Sequence, residues 1–105
     1  MKSFSKQPRE VIDVEVSLRK FFAKFTGDEI NTVEVSARAL TEGASPLVIG
    51  PDGLPEHEVP GSNPLYCKVW IGGGSSGAVY VVTAFIGTSF GRKKEVDFQV
   101  RVLDT

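Results

Sequence analysis

Between Val69 and Val102 apolar side chains fall at every second position on both sides of a glycine-serine stretch, a period that β-strands have and helices lack. Parity constrains such strands further, because facing residues of an antiparallel pair sum to a constant. A hairpin closed by residues 72–77 that sets Ile71 opposite Tyr80 also sets Val69 opposite Val82 and Cys67 opposite Ala84. A second hairpin centred on Gly91 sets Ile86 opposite Val96, Ala84 opposite Phe98, Val82 opposite Val100 and Tyr80 opposite Val102. Both registers bury the same face of the middle strand, the agreement between local choices that a foldable sequence shows.

These registers put Trp70 beside Val81 and Tyr66 beside Phe85 on the outer face, with Lys68, Thr83, Asp97, Gln99 and Arg101 around them. An outward group of Trp, Tyr, Phe and Val exceeds the scattered exposure of single apolar residues. Two readings stay open: a neighbouring protein covers the group, or a short helix or the loop over residues 50–64 folds back on it.

Upstream, Ile12, Val14, Val16 and Leu18 alternate with Asp13, Glu15, Ser17 and Arg19, which marks a half-buried strand. Val33, Val35, Ala37 and Ala39 alternate with Glu34, Ser36 and Arg38, so residues 30–40 form another. Between them Leu18, Phe21, Phe22 and Phe25 are spaced for about two helical turns, stopped by Thr26-Gly27-Asp28. Leu47-Val48-Ile49 is a short strand ended by Gly50-Pro51-Asp52-Gly53, residues 56–64 carry no period and read as loop, and residues 65–71 are a strand. Residues 1–9 are polar and hold Pro8; they read as an extended arm, either ordered against a partner or simply frayed, ahead of one domain over residues 10–105.

A chain of 105 residues suits a single core. Twelve basic against thirteen acidic residues leave a net charge of −1, without the basic footprint of a nucleic-acid binder. No apolar run approaches the ~20 residues of a membrane span, and Met1-Lys2-Ser3-Phe4-Ser5-Lys6 is too polar for a signal peptide, so a soluble product of a cytoplasm is expected.

Chemistry is sparse. Gly72-Gly73-Gly74-Ser75-Ser76-Gly77 has the spacing of a dinucleotide loop, but the alternating residues 78–86 follow it as a strand where that motif requires a helix. His57, between Glu56 and Glu58, reads as a solvated loop residue, and Cys67 as a small core residue without a disulfide partner. Asp28-Glu29 and the pair Asp13 and Glu15 read as solvated carboxylates. Gly91-Arg92-Lys93-Lys94 reads as an exposed basic turn, or else as one half of an ion pair with a neighbouring subunit. No nucleophile–base pair, cofactor site or metal-ligand set is expected.

Several segments resemble a known pattern: Lys6-Gln7-Pro8 with Val11, Asp13 and Val16; Gly27-Asp28-Glu29-Ile30; Val69-Trp70-Ile71-Gly72-Gly73-Gly74; Gly77 with Tyr80-Val81-Val82-Thr83; and Thr88 with Gly91-Arg92. Together they resemble the fiber-tail adaptors, small proteins of tailed bacteriophages. The resemblance implies an immunoglobulin-like two-sheet β-sandwich of six or seven strands, with one short helical segment near residues 19–25. Tyr80, three residues after Gly77, resembles the tyrosine corner of such sandwiches. It further implies a non-enzymatic virion protein, made in the host cytoplasm, that joins a tail or connector to fibers in several copies around the tail. Trp70, Val81, Phe85, Tyr66 and Arg101 on the sheet, with Lys6 and Pro8 on the arm, are the expected protein interface. The alternative is a binding module on the virion surface, carbohydrate-recognising or capsid-decorating, with Trp70 and Tyr66 as a stacking platform.

Overall fold

Alternation builds two layers whose apolar faces meet. The computed structural model describes residues 1–59 and 65–104. Its elements are β1 (Lys2–Lys6), β2 (Ile12–Ser17), α1 (Arg19–Phe22), β3 (Ile30–Ala39), β4 (Leu47–Ile49), β5 (His57–Glu58), β6 (Tyr66–Gly73), β7 (Val79–Thr88) and β8 (Lys93–Val102). One sheet has the order β1-β8-β7-β3; the other has β2-β6-β4, with β5 also on β6. The result is an all-β sandwich. Its core holds Val14, Val16, Cys67, Val69 and Ile71 from one sheet and Tyr80, Val82, Ala84, Ile86, Phe98 and Val100 from the other.

The expected inward faces of β6, β7 and β8 are therefore observed, but the pairing differs. β6 does not form a hairpin with β7: Ile71, Val69 and Cys67 lie beside Ile12, Val14 and Val16 of β2, and β7 lies in the other sheet. Residues 72–77 carry the chain across the sandwich. Gly74 turns there at φ +91°, where a Cβ would stand 2.8 Å from Val102 and 3.2 Å from Leu47. Two apolar faces satisfy parity equally well side by side or face to face, and here they face each other across the core.

The β7–β8 hairpin forms, two residues out of the expected register: Tyr80 faces Val100, Val82 faces Phe98 and Ala84 faces Val96. Gly91 is not its centre. The Thr88 N–H donates to the Arg92 carbonyl at 2.9 Å and the Gly91 N–H to the Thr88 carbonyl at 3.0 Å, so the turn closes one residue earlier. A slip of two keeps every side chain on its own face.

Over Lys2–Lys6 the expected arm is an edge strand, parallel to β8. Phe4 meets Phe98 edge-on at 5.6 Å between ring centroids, and Lys6 is buried. The helix is one turn, shorter than expected, because the chain leaves α1 through consecutive turns toward Gly27.

The segment read as loop from residue 56 contains β5, while residues 60–64 lie outside the described residues. β4 and β5 both run antiparallel to β6. From Ile49 to His57 this edge advances eight residues while β6 retreats only two, from Ile71 to Val69, so six residues are looped out. His57 is accordingly half-buried in a strand and not a solvated loop residue.

Candidate functional site

The most organised polar group of the molecule lies at the tip of the β7–β8 hairpin. Asp28, expected as a solvated carboxylate, is 3% exposed. Its Oδ2 accepts from the Arg92 guanidinium at 2.8 Å, and its Oδ1 accepts the backbone N–H groups of Glu29 at 3.0 Å and Phe90 at 3.1 Å. The Thr88 hydroxyl also bonds this carboxylate. Burial alone would push the Asp28 carboxyl upward, but the bonds from Thr88, Arg92, Phe90 and Glu29 outweigh it and hold the group below the ordinary carboxylate range. Arg92 thus finds its carboxylate inside its own chain, where the sequence had left a neighbouring subunit open.

Every backbone N–H from Thr88 to Arg92 is satisfied. Thr88 donates to the Arg92 carbonyl, Ser89 to the Glu29 carbonyl, Phe90 to Asp28, Gly91 to the Thr88 carbonyl and Arg92 to the Thr88 hydroxyl. A turn with no donor left over has little freedom to rearrange. Aromatic rings tie it to the core. The Arg92 guanidinium carbon sits 3.9 Å from the Phe25 centroid, Phe25 meets Phe21 at 5.2 Å, and Phe21 meets the buried Phe22 at 5.3 Å. Phe90, its ring centroid 5.7 Å from the same guanidinium carbon, is 66% exposed.

The opposite end is closed differently. The Lys6 Nζ donates to the carbonyls of Gln7 and Gly73 at 2.7 Å each and of Pro8 at 3.4 Å. Burial lowers its pKa, opposed by the charge of Glu10. Nearby, the Tyr80 hydroxyl accepts the Ser75 N–H at 2.9 Å and donates to the Ser45 carbonyl at 2.5 Å. Tyr80 thus bonds backbone five residues upstream, as a tyrosine corner does. The segments that carry the resemblance meet pairwise at these two ends, Gly27-Asp28 with Gly91-Arg92 and Lys6-Gln7-Pro8 with Gly73.

The residues expected to form one interface are divided. Trp70 and Tyr66 lie on the outer face of the β6 sheet, whereas Val81, Phe85 and Arg101 lie on the outer face of the β7–β8 sheet, because β6 and β7 are not neighbours. Val81 points outward between Arg38 and Gln99 yet is 3% exposed. Trp70 is half-buried with its Nε1 enclosed and without an acceptor among the described residues. Two residues along, a Cβ on Gly72 would stand 2.9 Å from Pro51 of the looped-out segment. Pro51 therefore lies against Gly72 on this face, two residues along β6 from Trp70. Lys6 is 2% exposed and Pro8 half-buried, so neither offers a free arm. Phe85 alone among the expected aromatics is exposed.

Cys67 is fully buried, and burial raises its thiol to about 11, where it is protonated and inert at neutral pH. Among the described residues no three of His, Cys, Asp and Glu gather at one point.

The chain is a β-sandwich whose buried polar side chains hold its loops and whose β7–β8 tip carries an exposed aromatic ring. The sequence matches the model of the family described as podophage GP4 fiber-tail adaptor protein gp77 over residues 6–101, and the chain belongs to that family. The matched residues contain both clamps and the tip. No curated protein matches the sequence.

Proposed function

We propose that this protein is a non-enzymatic link in the phage tail, joining the tail or connector to fibers through protein contacts, with the Phe90 tip as one of its docking points. The observation that carries this reading is the 66% exposure of Phe90 on a turn whose five backbone N–H groups are all bonded. An aromatic side chain is costly to leave in water. Held on a preorganised turn, it loses little entropy when a partner covers it, which is how interface anchors gain affinity.

The strand order supports an immunoglobulin-type sandwich: β2, β6 and β4 take the places of strands B, E and D, and β3, β7 and β8 those of C, F and G. A carbohydrate platform at Trp70 and Tyr66 gains no support from the geometry, since both rings are half-buried and the Trp70 indole N–H is enclosed.

The test is a phage carrying Phe90→Ala in this chain. Particles are expected to keep their tails and lose most of their fibers by electron microscopy, while the purified variant melts at the wild-type temperature. Fully fibered particles would remove the tip from the interface, and fibered particles in the complete absence of the chain would end the adaptor reading.

A further inference from the structure

β1 covers β8 only from Phe98 onward, so one edge of Lys93 to Asp97 is left open above α1. A pocket of about 450 Å³ lies there. Its floor is Leu18, Phe21 and Val96, and its rim is Lys20, Lys24 and Lys94, the last with its Nζ 5.8 Å from the Phe21 centroid. None of the three lysines has a carboxylate within ion-pair distance among the described residues. An apolar floor under three unpaired cations fits an apolar side chain flanked by carboxylates.

The same chain displays that feature on the outer face of the β7–β8 sheet. Phe85, 42% exposed, stands directly between Glu34 of β3 and Glu95 of β8, with Asp97 one row further along β8. Neither glutamate is ion-paired among the described residues. The nearest cation on that face is Lys93, one row toward the tip, whose Nζ lies over Gly87. Three carboxylates against one lysine leave the surroundings of Phe85 acidic. Glu95 points outward while Lys94 and Val96 point to the other side of the strand, so the two features face apart within one molecule.

We propose that a second copy of this chain seats its Phe85, flanked by Glu34 and Glu95, in the lysine-rimmed pocket of its neighbour. The contact is head to tail, leaving each copy one free half and generating a ring if the rotation closes and a filament if it does not. It rests on the adaptor reading only in supplying several copies side by side.

Sedimentation velocity on the full chain up to about 1 mM tests it. At low salt, species larger than a monomer are expected, dissociating as salt rises past the physiological range. Phe85→Ala and the double variant Lys20→Glu/Lys24→Glu should each weaken association at least about tenfold, the loss of one hot-spot contact. Glu34→Lys/Glu95→Lys provides a second variant of the acidic half, and a cooperative melt checks that each variant folds. An equimolar mixture of Phe85→Ala with Lys20→Glu/Lys24→Glu should form dimers and nothing larger, because it contains one intact half of each kind. A wild-type chain monomeric at about 1 mM, association indifferent to both variants, or a mixture that stays monomeric would each overturn the contact. If such a monomer still restored fibers to the particle, the adaptor reading would stand without it.

Discussion

At one end of the β7–β8 hairpin a buried carboxylate, Asp28, meets a guanidinium, two backbone N–H groups and a hydroxyl; at the other a buried ammonium, Lys6, meets three carbonyl oxygens. Both arrangements use the full bonding capacity of the charged group facing them. They differ in what remains when the group is removed. Without Asp28 a cation and several donors lose their acceptor together, whereas without Lys6 only carbonyls at the edge of the sandwich are left. The two closures also stand in different surroundings. The Asp28 end has no unbonded N–H along its turn, and the Lys6 end adjoins the β6 sheet, where Trp70 Nε1 and His57 Nδ1 have no partner among the described residues.

Asp28→Ala tests this contrast with the largest expected effect. Removing the buried Asp28 carboxylate takes the acceptor from the Glu29 and Phe90 N–H groups and the Thr88 hydroxyl at once, while Arg92, its side chain 36% exposed, keeps contact with solvent. Asp28→Ala should therefore lower the melting temperature more than any other single change discussed, and well below Lys6→Met, which keeps the apolar stem. A chain that melts earlier with Lys6→Met would reverse the contrast. The pH dependence has a definite sign. The folded Asp28 carboxyl titrates below its ordinary 3.8, so the unfolded chain binds the proton first as pH falls. Its contribution is complete above that value and is lost as pH drops through the lower folded one. Asp28→Asn should flatten this acid limb in melts recorded from neutral pH downward.

The two closures were also unequally legible in the sequence. Alternation identified which side of β2, β3, β6, β7 and β8 faces inward, because period two is a local property that survives a wrong partner. Which strands adjoin is not local: Ile71 and Tyr80 are both core residues whether their strands pair or oppose. The burial of Asp28 depends on Arg92, 64 residues away, and nothing beside Gly27 announces it. The only signal was that Gly27-Asp28 and Gly91-Arg92 both belong to the resemblance to fiber-tail adaptors. Lys6 is expected at the interface and not in the interior because a lysine in a polar stretch reads as solvent-facing; in the fold it shares the inward side of β1 with Phe4, two residues before it. Phe90 carries no sequence signal because it lies in a turn, outside any period.

Gly72→Ala sharpens the contrast at the Lys6 end. The new methyl would meet Pro51 at 2.9 and 3.0 Å, ring atoms of a loop residue that is itself buried. Overpacking of this kind costs about 1–3 kcal/mol in a chemical denaturation curve. If Pro51 yields, the contact two residues along β6 from Trp70 opens, and the tryptophan emission of the folded variant should shift to the red. Unchanged stability and emission would mean that the loop is loosely seated and that the closure at this end rests on Lys6 and Tyr80 alone.

Trp70→Phe carries the smallest expected effect and probes the unpaired donor itself. The enclosed Nε1 has no acceptor among the described residues, so replacing the indole by a ring with no N–H removes a desolvation cost as well as some apolar contact. The two contributions oppose each other, and stability should change by no more than about 1 kcal/mol in either direction. A loss well above that would show that the indole N–H is bonded in solution. The outer face of β6 would then be as fully paired as the turn around Asp28, and the difference between the two ends would reduce to the sign of the buried charge.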